Sequence, residues 1–226
     1  MELLVFGHSG MAVLVFPTRE GRFFDYEDWG LVGAASEHIE RGRVRLFCVD
    51  SVDSEALYCR CRPPQERIAR ARAYERYILD EVVPLARSKD SSAPLSTHGC
   101  SIGAYHAVSI AFRHPDYFQK VVGLSGRYDL TRQMGAFPDL FDGHYDEDIY
   151  FHTPSHFIPN LTDPCLLGKL RALDITFAVG EADAFCENTQ RLSRTLWEKG
   201  VPNRLDVWSG EAHRARDWRR MAQVYL

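Results

Sequence analysis

No apolar run in this 226-residue chain is long enough to cross a bilayer, so a membrane-spanning helix is not expected. The first residues, Met1-Glu2-Leu3-Leu4-Val5-Phe6, lack the basic stretch and apolar core of a secretory leader, and the expectation is a cytoplasmic protein. Positive charge is not in excess: 27 Lys and Arg stand against 31 Asp and Glu, for a net charge of −4. A phosphate-binding surface, and with it a nucleic-acid partner, is therefore not indicated. The arginines between Arg60 and Arg76 are interrupted by Glu66 and Glu75, which reads as a solvated helix face. Cysteines number six, and in a cytoplasmic protein they are expected to be thiols. Cys59-x-Cys61 has no second ligand pair at zinc-finger spacing, and the histidines between 131 and 168 show no helical HxxxH. They read as satisfied surface histidines, and no metal or other cofactor is expected. Internal repeats and low-complexity segments are also missing.

What is present is enough chain for one sizeable α/β domain over residues 1–226. Residues 3–6 and 12–16 are short apolar runs around His8-Ser9-Gly10 and read as a hairpin. A helix is expected over 26–41, with Trp29, Val32, Ala35 or Ser36, and Ile39 on one face, ended by Gly42. Val44–Asp50 reads as a strand. The longest helix is expected over 65–86, where Ala71, Tyr74, Ile78, Val82 and Leu85 recur at helical steps. Further strands are expected near 93–97, 120–126, 173–179 and 204–208, with helices at 104–113 and 187–199. Residues 131–168 have no sustained period, four prolines and many aromatics, and read as a cap or loop insertion of short helical pieces folded over a site. Strands alternating with helices in the second half predict a mostly parallel sheet covered on both faces.

The chemistry-bearing stretch is His98-Gly99-Cys100-Ser101-Ile102-Gly103-Ala104. A serine hydroxyl needs a base and an exposed position to act as a nucleophile. Gly99-x-Ser101-x-Gly103 supplies the sharp strand-to-helix turn that gives this exposure. Cys100 occupies the variable position of that turn and is read as packing. In a parallel sheet, functional groups gather beyond the carboxyl ends of the strands. Three candidates fall at such ends: Ser101, an acid at Asp183 or Glu181, and His213. Their order along the chain, serine then acid then histidine, is that of a hydrolase triad. After the strand ending at Phe16, Pro17 has no N–H, so Thr18 is the first backbone donor available, with Arg19 next.

These motifs resemble esterases of the α/β-hydrolase superfamily, in the esterase D-like group whose relatives include S-formylglutathione hydrolases and mycolyltransferases. The matching residues are His98-Gly99-Cys100-Ser101-Ile102-Gly103-Ala104, His114-Pro115-Asp116-Tyr117-Phe118, Leu124-Ser125-Gly126-x-Tyr128-Asp129, Gly180-x-x-Asp183 and Gly210-x-x-His213-x-x-x-x-Trp218. The resemblance implies an α/β-hydrolase fold with Ser101 as nucleophile, Asp183 as acid and His213 as base. It departs from the group at Phe16-Pro17-Thr18, where a His-Gly pair is usual.

The expected reaction is acyl transfer from a small carboxylic ester or thioester through an acyl-enzyme, with the Ile102 and Thr18 N–H groups facing the oxyanion. The alternatives are an acyltransferase using the same triad and a non-catalytic binding module on a hydrolase fold. Phe137, Phe141, Tyr150 and Phe151 are candidate substrate-binding aromatics. The expected partner is a small-molecule acyl substrate, not a membrane, and the oligomeric state, a homo-oligomer included, is left open.

Overall fold

The computed structural model describes residues 1–226. One seven-stranded sheet forms in the order β1-β3-β2-β4-β5-β6-β7. Its strands are β1 (Leu3–Phe6), β2 (Met11–Phe16), β3 (Val44–Val49), β4 (Leu95–Cys100), β5 (Lys120–Leu124), β6 (Asp174–Gly180) and β7 (Arg204–Trp208). All neighbouring pairs are parallel except β1 with β3. Helices on both faces make this an α/β-hydrolase fold. Along β2, Ala12, Leu14 and Phe16 join one apolar cluster while Val13 and Val15 join the other, as period-2 strands covered on both faces require.

The expected hairpin is not formed. β1 and β2 both flank β3, with Leu3 opposite Val49 and Met11 opposite Val44. β2 has parallel neighbours on its two edges, β3 and β4, so no edge remains for β1. Residues 7–10 therefore bridge two strand spacings, about 10 Å. Gly7 and Gly10 sit at φ 101° and 89°, and a β-carbon on Gly10 would come 2.3 Å from the Arg43 carbonyl.

The helix expected over 26–41 is also divided, into α1 (Asp25–Asp28), α2 (Leu31–Ala34) and α3 (Ser36–Glu40). Gly30 at φ 73° breaks it, yet Tyr26, Leu31 and Ala35 still reach the core. The longest helix is found as α4 (Pro64–Tyr77), a π turn (Ile78–Val82) and α5 (Val83–Lys89). Pro84 accounts for the widened turn: it has no N–H, and its ring would strike the carbonyl four residues back. α6 (Ile102–Arg113) follows β4 directly.

β4 is more polar than a central strand should be, because Ser96, Thr97 and His98 are all buried. Thr97 Oγ1 donates to the Ala107 carbonyl at 2.9 Å, which ties β4 to α6. His98 has partners on both nitrogens, Tyr26 Oη at 2.9 Å and the Val122 carbonyl at 3.1 Å.

Within 131–168 two of the four prolines that spoil the periodicity begin helices, while Pro159 lies inside one and Pro138 in a loop. α7 (Glu147–Phe151) is capped by Asp146, α8 (Pro154–Asn160) opens on Pro154, and α9 (Pro164–Arg171) opens on Pro164 under an Asp163 cap. These pieces pack beside α4, α6 and α10 (Cys186–Glu198) on one face of the sheet, rather than over the strand ends. α11 (Ala215–Tyr225) covers the other face with α1 to α3. Ahead of α7 in the chain, Phe137 reaches the His213 ring at a centroid distance of 6.1 Å.

The arginines of α4 are not merely a solvated face. Arg67 is 1% exposed; its guanidinium donates to the Leu140 carbonyl at 2.6 Å and to the Asp142 carboxylate. Arg60 binds Asp142 and the Asp139 carbonyl, and Arg72 binds Asp148, so three arginines hold segment 139–148 in place. His152 likewise departs from the expected surface setting: it is buried, with Nδ1 2.7 Å from the Asp148 carbonyl.

Candidate active site

Ser101 sits where β4 ends and α6 begins, at φ 57° and ψ −120°. That backbone state costs on the order of 1–3 kcal/mol in a non-glycine residue. It is held by the Ser101 N–H, which donates to the Leu124 carbonyl at 2.8 Å. The flanking glycines are needed for approach, not flexibility. A β-carbon on Gly99 would lie 2.2 Å from the Gly103 carbonyl carbon, and one on Gly103 would lie 2.3 Å from the Phe16 carbonyl oxygen.

The second of these contacts brings the loop leaving β2 against the elbow, with the Phe16 and Pro17 carbonyls at Gly103. Neither the Thr18 nor the Ile102 N–H has an acceptor within the fold. Ile102 is also the first residue of α6, where unpaired N–H groups and the helix dipole favour negative charge.

His213 faces the elbow from the loop after β7. Its Nε2 lies 3.1 Å from Ser101 Oγ, and its Nδ1 lies 2.9 Å from Asp183 Oδ2. A carboxylate only accepts, so Nδ1 carries the proton and Nε2 accepts from the serine hydroxyl. Asp183, 6% exposed, also accepts the Phe185 N–H at 3.0 Å through its other oxygen.

Glu181 takes a different place. Its Oε1 accepts from Ser209 Oγ at 3.1 Å and from the Gly210 N–H at 3.0 Å, and those donors hold its carboxyl below the usual range. It thus ties the loop after β6 to the one carrying His213. A backbone bond from the Ala182 N–H to the Gly210 carbonyl does the same.

The imidazole is walled by aromatics: Trp218, Phe185 and Phe137 have ring centroids 5.2, 5.4 and 6.1 Å from it. Trp218 Nε1 donates to Ser125 Oγ at 3.1 Å, and Ser125 Oγ donates to the Ala212 carbonyl at 3.2 Å. Both Ser125 and Ala212 have positive φ, 51° and 48°. The residue before His213 is therefore pinned by a tryptophan–serine relay. Sequence reasoning placed Ser125 and Trp218 in motifs without finding this role.

A second His–Asp contact was not foreseen. His106 Nε2 on α6 meets both carboxylate oxygens of buried Asp53, at 2.9 and 3.1 Å, and its ring stacks on Phe16 at 6.0 Å. Two residues far apart in sequence, neither in a motif, gave no signal.

The aromatic candidates separate. Phe137 reaches the imidazole. Phe141, 1% exposed, packs with Leu57, Ile68, Tyr105 and Leu140. Tyr150 and Phe151 line a surface pocket with Arg113, His114 and Phe157. Arg113 ends α6, twelve residues beyond Ser101 and roughly 18 Å along the helix, so these two rings are not at Ser101.

Residues 34–221 match the family model described as "Putative esterase". The chain belongs to this family. It is an esterase by family, and its fold agrees with solved structures of low sequence identity. A ferulic acid esterase superposes with a TM-score of 0.73 at 13% identity, covering 96% of this chain and 83% of the other. The S-formylglutathione hydrolase of Staphylococcus aureus gives 0.64 at 17% identity, covering 97% and 80%. That of Agrobacterium tumefaciens gives 0.66 at 13% identity, covering 96% and 82%. No curated protein matches the chain. No helix of the esterase is long and apolar enough to cross a membrane.

Proposed function

We propose that this esterase hydrolyses a small carboxylic ester or thioester through Ser101, His213 and Asp183. His213 Nε2 takes the Ser101 proton as Oγ attacks the acyl carbonyl carbon. Asp183 holds the ring in the required tautomer and stabilises its charged form. The negative charge on the carbonyl oxygen meets the Ile102 and Thr18 N–H groups, donors already fixed before reaction. Collapse of this intermediate breaks the bond to the alcohol or thiol, which leaves with the proton from Nε2. Water then attacks the acyl-enzyme by the same route and frees the acid and Ser101. None of these steps calls on a cofactor.

The observation that carries the reading is the unbroken hydrogen-bond chain from Ser101 Oγ through His213 to Asp183, at 3.1 and 2.9 Å, beside two N–H groups without acceptors. The structural relatives include hydrolases named for an S-formyl thioester and for a ferulic acid ester, which motivates testing both bond types. A fluorophosphonate probe with mass-spectrometric site mapping is the direct test. Ser101 is expected to carry the label, and Ser101→Ala to lose about 10⁴-fold or more in kcat. Labelling at another serine, or full turnover in the variant, would refute the assignment.

A further inference from the structure

The loop between β3 and α4 carries Cys59-Arg60-Cys61. The Cys59 carbonyl accepts the Arg62 N–H at 3.0 Å, closing a turn that brings the two sulfurs to 2.6 Å. A covalent disulfide is about 2.05 Å, so the pair stands roughly half an ångström short of bonding. Cys61 is exposed and Cys59 half-buried, while Cys48, Cys100 and Cys186 are buried. The other exposed thiol, Cys165, stands at the start of α9 with no second sulfur near it.

We propose that Cys59 and Cys61 form a redox-active dithiol that small-molecule disulfides convert to an intramolecular bond. Cys59 is the attacking sulfur: a hydrogen bond from Cys61, with further help from Arg62, holds its thiol below the ordinary value. Cys59 Sγ, as thiolate, attacks one sulfur of a disulfide RSSR. The S–S bond breaks, and the departing RS⁻ takes up the proton that Cys59 gave to solvent. Cys61 then loses its proton and attacks Cys59 Sγ, expelling the second RS⁻, which is protonated in turn. The two protein thiols lose two electrons to one RSSR, which leaves as two RSH.

The position gives the chemistry a structural connection. Arg60, between the two cysteines, binds Asp142 Oδ1 at 2.5 Å and the Asp139 carbonyl at 3.0 Å, just after Phe137, whose ring reaches His213. Tyr58, on the other side, carries the Arg19 guanidinium 4.8 Å from its ring, next to Thr18. Ring closure would fix the backbone at Arg60, where the β3 loop, the β2 loop and segment 139–143 meet. The dithiol does not depend on the esterase reading, and its readout is covalent.

The test treats the full chain with glutathione disulfide under native conditions, alkylates the remaining thiols, and reads intact mass and tryptic peptides. Cys59 and Cys61 are expected to escape alkylation together, with loss of two hydrogens and no added glutathione. The peptide ending at Arg60 and the one beginning at Cys61 should stay joined until reduced. Cys61→Ser should instead retain one glutathione on Cys59, since no second sulfur resolves it. The pair should react at least about ten times faster than Cys165, which has no second sulfur beside it. Full alkylation of both cysteines after treatment would overturn the proposal, as would a wild-type chain that stops at the mixed disulfide or bridges to a second chain.

Discussion

At the scale of single residues, the two acids after β6 separate by what each touches. Asp183 accepts from the His213 imidazole, whereas Glu181 accepts only from the loop that carries that ring. Asp183→Asn should cost about 10⁴-fold in kcat, because the amide favours the wrong imidazole tautomer. Glu181→Gln keeps an acceptor for the Gly210 N–H and should stay within about tenfold of the parent. A larger loss from the glutamate change in steady-state kinetics would reverse the roles. The aromatic candidates divide in the same manner. Phe137 is within reach of the imidazole, and Phe137→Ala should raise KM more than it lowers kcat on longer-chain p-nitrophenyl esters. Phe151, 46% exposed and beyond the far end of α6, should leave both constants unchanged when truncated. Equal kinetic effects from the two variants would argue against a binding role for Phe137.

At the scale of elements, the helix α4 anchors the segment beside the site through arginines of unequal burial. Truncating Arg67 leaves the Leu140 carbonyl without its donor and opens a cavity, so Arg67→Ala should destabilise by about 2–4 kcal/mol. Arg72→Ala removes a pair half open to solvent, 50% and 40% exposed, and should cost less than about 1 kcal/mol. Denaturant unfolding of both variants checks this, and similar losses would mean Arg67 is not the anchor. These arginines also show where sequence reading stops. A helical run of alternating charge looks solvated until the segment packed on it is known. The parallel core was legible because most of its strands are short apolar runs bounded by turn residues. The partnership of β1 was not, since a four-residue link suits a hairpin as well as a step across β3, and the choice was made by β4 pairing with the other edge of β2. The proposed triad was legible because its three residues each follow a strand in a loop or turn with small neighbours. Asp53 and His106 meet only through the fold, so no local pattern marks them.

At the scale of the whole molecule, two buried neutral histidines tie stability to pH. Burial, the largest cause, pushes His98 down to about 4 and His152 down to about 3, below the ordinary 6.5. In each case the unfolded chain binds a proton that the folded chain refuses. Between pH 6.5 and about 4 the unfolded state therefore holds more protons, and stability rises with pH through that window. Their contribution is present in full above 6.5 and is lost as pH falls. For His98 alone the loss between pH 7 and pH 5 is about 2 kcal/mol. The geometry agrees, since Nδ1–H donates to the Val122 carbonyl and Nε2 accepts from the Tyr26 hydroxyl, so a second proton on Nε2 would displace that buried O–H from its acceptor. Tyr26 lies in α1 and Val122 in β5, so charging His98 disturbs both the sheet and the layer over it. Guanidinium unfolding of the wild type at pH 7 and pH 5 should show this loss. His98→Asn should be less stable at pH 7 yet lose about 2 kcal/mol less on going to pH 5, because asparagine does not titrate. If the two proteins lose stability in parallel over that range, the acid sensitivity belongs to other groups and the buried histidine of β4 is not its source.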